Sequence, residues 1–180
     1  MKILVVSDAS EMRGRFLEKS VCDFFQEHQV SCFNAAQARI GYCIGCFACR
    51  IKTPGKCIFE DDMDEILREY VDCDALVLLT AMKYGCHSSI TKCFLDRTIP
   101  LETPFLRGVD GEVHLTARYP RERRLLAIAY GDKMDPDDCI VYNKLIRRNA
   151  INLDIKRHKT VFCEAQEDVE PKLARAWRDI

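Results

Sequence analysis

The sequence predicts an α/β fold: a doubly wound parallel sheet of five strands in the order 2-1-3-4-5, with helices on both faces. Three observations predict it. The stretches Lys2 to Ser7, Asp74 to Thr80 and Leu125 to Tyr130 are near-continuous aliphatic runs, the pattern of strands buried on both faces of a parallel sheet. Segments with helical spacing of apolar residues alternate with them, as βαβ units require. The length of 180 residues, 48 % of them hydrophobic, suits one domain over 1–180 with a continuous core.

Taken in order, Lys2 to Ser7 is the first strand. Leu17, Val21, Phe24 and Phe25 then recur at helical spacing, and Val30 to Phe33 is a short second strand. Residues 35–59 read as an irregular, cysteine-rich loop, because Gly41, Gly45, Pro54 and Gly55 break any period. Asp62 is expected to cap the next helix, with Glu65 completing a capping box. Met63, Ile66, Leu67, Tyr70 and Val71 form its buried stripe. Asp74 to Thr80 is the third strand. The loop Ala81 to His87 leads into a helix that runs to about Arg97. Residues 99–122, rich in proline and charge, read as a long excursion from the fold. Leu125 to Tyr130 is the fourth strand, a helix follows Pro136 to about Ile151, and Thr160 to Cys163 is the fifth strand. Pro171 opens a short terminal helix that contains Trp177.

Composition narrows the function. A formal net charge of −1 offers no electrostatic attraction for nucleic acid or an anionic membrane. No apolar run approaches the roughly 20 residues of a membrane span. The opening Met1 to Val6 reads as a strand and not as the core of an export signal. The eleven cysteines are an odd number. Without an export signal they fit a reducing, cytoplasmic setting better than a disulfide framework. Seven of them (Cys22, Cys32, Cys73, Cys86, Cys93, Cys139 and Cys163) are scattered among apolar residues and read mostly as reduced core filler.

In a sheet of this order a ligand lies beyond the strand C-termini, at the switch point between the loops after strands one and three. Topology therefore points to residues 7–15, residues 80–87 and the loop after Tyr130. The other four cysteines, Cys43, Cys46, Cys49 and Cys57, fall within fifteen residues. The first three stand at two-residue gaps, and the Pro54-Gly55 bend can bring Cys57 back to them. Four thiolates are the ligand set of a [4Fe–4S] cluster. They could also hold tetrahedral zinc, the weaker metal reading because the spacing is not the usual pair of separated C-x-x-C units. Free thiols in a loop stand level with the cluster, ahead of zinc.

The stretch from Cys43 through Cys57 to Met63 resembles the NADPH-dependent FMN reductase and iron–sulfur flavoprotein family. Tyr84-Gly85 with Lys92 to Arg97 resembles that family's second flavin-contacting loop and the helix after it. Asp110 to His114 with Arg118-Tyr119 resembles a later segment, so that the likeness spans most of residues 1–130. The resemblance implies a flavodoxin-like fold, FMN as cofactor, NAD(P)H as reductant, and homodimers or homotetramers. It also implies a [4Fe–4S] cluster on Cys43, Cys46, Cys49 and Cys57, and a small-molecule or protein electron acceptor. The implied FMN contacts are Ser7, Ser10, Arg13, Gly14 and Arg15 in the first loop, Thr80, Ala81, Met82, Lys83, Tyr84 and Gly85 in the second, and Gly131 in the third. No side chain is required as an acid or base.

The first loop departs from the family pattern. Ala9 stands where serine is usual and Phe16 where threonine is usual, and Asp8 and Glu11 bring negative charge to a phosphate position normally favoured by a helix N-terminus. In the second loop, Ala81-Met82-Lys83 stands where Pro-Val-Tyr is common. These departures favour an alternative: a flavodoxin-fold protein with a degenerate FMN site, acting as a cluster-bearing electron carrier or a non-enzymatic binding module. There is no G-x-G-x-x-G after the first strand and no P-loop. Cys86-His87 reads as loop packing. Asp132, Asp135, Asp137 and Asp138 read as a solvated loop and helix cap. Arg121, Arg123 and Arg124 read as surface charge or interface contacts.

Overall fold

The computed structural model describes residues 1–164 and 169–180. Its elements are β1 (Lys2–Ser7), α1 (Met12–Phe24), β2 (Gln29–Asn34), α2 (Ala48–Ile51), α3 (Met63–Asp72), β3 (Ala75–Ala81), α4 (Ser89–Asp96), a 3-10 turn (Ile99–Leu101), β4 (Glu102–Val109), β5 (Glu112–Ala117), β6 (Arg124–Tyr130), α5 (Pro136–Asn152), β7 (Arg157–Cys163) and α6 (Val169–Arg178).

Five strands form a parallel sheet in the order β2-β1-β3-β6-β7. The expected order counted five strands in the chain, whereas the described residues hold seven. β4 and β5 form a separate antiparallel pair within the excursion read as irregular. The tip of that hairpin is Asp110-Gly111, with φ of 50° and 81°. Positive φ at both central residues belongs to the tight hairpin turn that an Asp-Gly dipeptide favours.

The aliphatic strands work as their pattern requires. Leu4 and Val6 of β1, Leu76 and Leu78 of β3, and Leu125, Ala127 and Ala129 of β6 face a core shared with α3, α4 and α5. The alternate residues Ile3, Val5, Val77, Leu79, Leu126 and Ile128 face the opposite core, filled by Leu17 and Val21 of α1 and Leu173 and Ala176 of α6. These strands are buried on both faces, which is why their sequences carry no polar alternation.

Several local expectations are corrected. The cysteine-rich loop contains the one-turn helix α2. The Asp62 side chain does not cap α3; its Oδ2 accepts from the Arg39 N–H at 2.7 Å, and Asp61 Oδ1 accepts from the first helical N–H, Met63, at 3.2 Å. The terminal helix begins at Val169, ahead of Pro171. Cys22 and Cys32, read as packing thiols, are joined in a disulfide between α1 and β2. Of the other scattered cysteines, Cys73, Cys93 and Cys163 are buried, while Cys86 is exposed and Cys139 half-buried. Arg123 is not surface charge, being 4 % exposed. Its guanidinium donates to the Tyr70 and Val71 carbonyls at 3.2 and 2.8 Å and lies over the Tyr70 ring. These carbonyls lie in the last turn of α3, where the Tyr70 oxygen also accepts from the Cys73 N–H at 3.3 Å, so a buried cation there is both hydrogen-bonded and favoured by the helix dipole. Arg124 lies over Trp177, and Arg121 pairs with Asp74.

Candidate functional site

At the C-terminal edge of β1, β3 and β6 the chain leaves a cleft of about 440 Å³, within the range of small-ligand sites. Its lining comes from the three loops that topology selects. Asp8, Ser10, Glu11 and Arg13 follow β1; Ala81, Met82, Lys83, Ser88, Ser89 and Ile90 follow β3; Tyr130, Gly131 and Asp132 end β6.

Asp8 organises the cleft. It is 3 % exposed, and its carboxylate turns inward. Oδ2 accepts from Thr80 Oγ1 at 2.7 Å and Thr91 Oγ1 at 3.2 Å, and Oδ1 accepts from the Tyr130 hydroxyl at 3.1 Å. The Ala81 N–H donates to both oxygens, at 3.1 and 3.0 Å. One side chain thus ties β1, β3, α4 and β6 together at the edge where their loops diverge. The negative charge expected of Asp8 at the phosphate position is turned inside the protein, whereas Glu11 stays exposed. Burial, together with the Asp8 charge and hydrogen bond, pushes the Tyr130 phenol well above its ordinary pKa, so it stays a donor.

The first loop is held from beneath. Asn34 Nδ2 donates to the Ala9 carbonyl at 2.8 Å and to Glu18 Oε2 at 2.9 Å, and Ser7 donates to the same carboxylate. Gly14 is required where it stands, because a Cβ there would meet the Tyr130 oxygen at 2.7 Å and Ala9 Cα at 3.2 Å. The first intrahelical bond of α1 is Arg15 N–H to Glu11 carbonyl, 3.0 Å. Among the described residues no acceptor meets the N–H groups of Met12, Arg13 and Gly14. An α-helix that presents such groups to a cleft offers anion-binding donors and a favourable dipole. Arg13 stands beside them, bonded to Asp132 at 2.7 Å. These donors fit a phosphate, and the cleft volume is of small-ligand size. Exposed Glu11 and Asp132 are the opposing charges.

Of the expected FMN contacts, Ser10, Arg13, Ala81, Met82, Lys83 and Gly131 line the cleft. The other six do not. Ser7, Gly14 and Thr80 are buried beneath it. Arg15 faces solvent on α1. Tyr84 is 90 % exposed on the tight turn closed by Lys83 and Cys86, and Gly85 packs on Val141. Ser88, Ser89, Ile90 and Tyr130 line the cleft from outside the stretches that topology selected. The Ser88 N–H bonds Thr80 Oγ1 at 3.2 Å and its side chain caps α4 by accepting from the Thr91 N–H. His87 is buried between Tyr142, 3.1 Å from Nδ1, and Asn149, 2.8 Å from Nε2. Burial pushes its pKa down to about 4, so it packs as a neutral ring. Asp135 caps α5 by accepting from the Asp137 N–H at 2.8 Å.

The cysteine loop leaves β2 and returns at α3. Cys43 and Cys46 are exposed, Cys57 is half-buried and Cys49 is buried on α2. The chain bends back at residues 53–56: the Gly55 N–H donates to the Cys49 carbonyl at 3.0 Å, and the Thr53 hydroxyl to the Lys56 carbonyl at 2.8 Å. Burial and the three neighbouring thiols raise the Cys49 pKa, against the opposing pull of Arg50. Among the described residues no three His, Cys, Asp or Glu side chains stand at metal-holding distance. The donor set fits a thiophilic centre in kind, four sulfurs on one closed loop, with the outer two on irregular backbone. No helix among the described residues is long and apolar enough to cross a membrane.

No family model matches the chain. An iron–sulfur flavoprotein of Archaeoglobus fulgidus is 32 % identical over 105 residues, 58 % of this chain and 46 % of that protein. An iron–sulfur flavoprotein of Methanocaldococcus jannaschii is 29 % identical over 109 residues, 58 % of this chain and 55 % of that protein. The chain spans about half the length of these curated relatives. Solved structures share the fold at low identity. The NAD(P)H:quinone oxidoreductase from Methanothermobacter marburgensis has a TM-score of 0.67 at 13 % identity, over 99 % of this chain and 94 % of that one. An FMN-dependent NADH-azoreductase from Bacillus anthracis, solved with FMN, has a TM-score of 0.63 at 15 % identity, over 99 % and 95 %.

Proposed function

We propose that the chain is an NAD(P)H-dependent FMN oxidoreductase of the iron–sulfur flavoprotein kind, flavodoxin-like in fold. The observation that carries this reading is a cleft of ligand size at the switch point of a sheet whose sequence is similar to iron–sulfur flavoproteins. The N–H groups of Met12 and Arg13 at the first turn of α1, with Ser10 and the Arg13 guanidinium, would hold the phosphate. Ala81, Met82, Lys83 and Gly131 would flank the ring. Cys43, Cys46, Cys49 and Cys57 would ligate a [4Fe–4S] cluster. FMN supplies hydride transfer from NAD(P)H and onward electron delivery when bound. The protein's part is to orient the ring and exclude water. Asp8 does this indirectly, by fixing the three loops against one another. A small molecule or a protein takes the electrons. The reading extends to a homo-oligomer, supported by the exposed Phe105, Leu106 and Val113 of the hairpin.

A second reading, an electron carrier or binding module without flavin, is favoured by the carboxylates of Glu11 and Asp132 at the cleft. The visible spectrum of protein purified without oxygen separates the two. The first reading expects two resolved flavin bands over a broad brown cluster shoulder, with the flavin bands bleached by NADH or NADPH. A shoulder alone, or no absorbance, would favour the second.

A further inference from the structure

Arg97 is 1 % exposed and is the largest of the fully buried side chains. It stands at the end of α4, yet its bonds are to the cysteine loop. Nη1 donates to the Gly41 carbonyl at 2.6 Å and to Asp61 Oδ2 at 2.7 Å, and Nη2 donates to Asp61 Oδ1 at 3.0 Å. Asp61 Oδ2 also accepts from the Gly41 N–H at 2.9 Å. Gly41 lies two residues before Cys43, and Asp61 four residues after Cys57. One guanidinium therefore fastens both ends of the segment that holds all four cysteines. A second tie lies alongside: Arg39 N–H to Asp62 Oδ2 at 2.7 Å, and Asp62 N–H to the Arg39 carbonyl at 3.1 Å.

The guanidinium is incompletely satisfied. Among the described residues its Nε has no acceptor, although it is buried. A buried donor left open carries a desolvation cost and calls for an explanation. Apart from Asp61, the ionisable neighbours that act most strongly on Arg97 are the thiols of Cys57 and Cys93. The Phe59 ring lies 5.2 Å from its central carbon and helps to keep water away.

We propose that Arg97 is the positioning residue of the four-thiol site: with Asp61 it closes the loop at its base, and its open Nε–H is reserved for a thiolate of the loaded centre. This rests on the four-thiol reading above. The ends of the loop stay fixed while Cys43 and Cys46, on exposed backbone, close onto Cys49 and Cys57. Because the ends are already gathered, less chain entropy is lost when metal binds. A cation beside the thiolates also offsets their mutual repulsion. Lysine keeps the charge but cannot reproduce the fork, so Arg97→Lys separates clamping from charge.

Cobalt(II) added to the full-length protein without oxygen tests this, since sulfur ligation gives an intense sulfur-to-cobalt charge-transfer band. The wild type is expected to develop a four-thiolate band. Arg97→Lys should bind cobalt about 10–100-fold more weakly, the usual cost of losing an outer-shell partner, and should shift the band because the Nε–H is gone. Asp61→Asn should weaken binding without the shift, since it keeps the Nε–H. Should Arg97→Lys fail to fold, as judged by circular dichroism, Asp61→Asn carries the test through affinity alone. Arg121→Lys, whose guanidinium pairs with Asp74 away from the loop, should bind as the wild type does. A wild-type band with unchanged affinity in the clamp variants overturns the role of Arg97 and leaves the four-thiol reading standing. A wild type that never develops the band overturns both.

Discussion

Asp8→Ala is expected to destabilise the protein by about 2–5 kcal/mol, because it strips four donors of their acceptor at once. The hydroxyls of Thr80, Thr91 and Tyr130 and the Ala81 N–H converge on this carboxylate, and Thr80 and Thr91 are buried to 1 % exposure or less. Thr80 and Thr91 cannot turn to bulk water without opening the edge of the sheet, while Ala81 and Tyr130 line the cleft. Removing a buried charge returns some desolvation energy, so the cost stays below the sum of four lost bonds. Asp8→Asn keeps the shape and one acceptor oxygen and should cost about 1–2 kcal/mol. Urea unfolding measures this. With an m-value of about 2 kcal/mol/M, the alanine variant's midpoint should fall by roughly 1–2.5 M with m unchanged. An alanine variant within experimental error of the wild type would mean that the carboxylate does not hold the loops.

Asp61→Ala should cost about 3–5 kcal/mol by leaving the Arg97 guanidinium buried and unpaired. For a chain of this size that is a fall in Tm of about 6–20 °C. Changing both partners to apolar residues, Arg97→Met with Asp61→Leu, should recover most of the loss, since an empty partner costs more than an absent pair. The pair also has a pH dependence. Burial pushes the Asp61 carboxyl up, but the Arg97 hydrogen bond, the Gly41 and Met63 N–H groups and the Arg97 charge outweigh it and hold the pKa below the ordinary value of 3.8. A carboxyl depressed in this way binds its proton later in the folded than in the unfolded state. Its stabilisation is complete above the ordinary carboxylate range and is lost as pH falls through the lower folded value. The wild type should therefore lose stability faster than Asp61→Asn as pH drops below about 4, by thermal melts at several pH values. Parallel curves for the two would contradict the pairing.

What was legible in the sequence follows from which interactions are local. β1, β3 and β6 could be read because strands buried on both faces need an unbroken aliphatic run, and α3 because its stripe repeats within ten residues. Those strands fixed where the loops must diverge, and so the cleft. The hairpin was missed although Asp110-Gly111 announces its turn. Phe105, Leu106 and Val113 point out to solvent, so no core-facing alternation accompanied the turn signal. The roles of Asp8 and Arg97 had no local signal. The partners of Asp8 lie 72 to 122 residues away, and Asp61 lies 36 residues from Arg97. Asp8 read as negative charge at the phosphate position because nothing near it shows that the side chain turns inward. Half of the expected flavin contacts missed the cleft for a similar reason. A loop's sequence gives its place in the fold, while each side chain's direction depends on what packs beneath it, as Gly85 on Val141 leaves Tyr84 to solvent.

The claim at the centre of this account is that the edge of β1, β3 and β6 binds a phosphorylated flavin through the first turn of α1. Fluorescence titration of flavin-free protein with FMN and with riboflavin addresses it most directly. The account predicts saturable quenching by FMN, at least 10-fold weaker binding of riboflavin (about 1.4 kcal/mol), and loss of that preference in Arg13→Glu. Equal affinity for the two flavins, or no saturable binding of either, would contradict it.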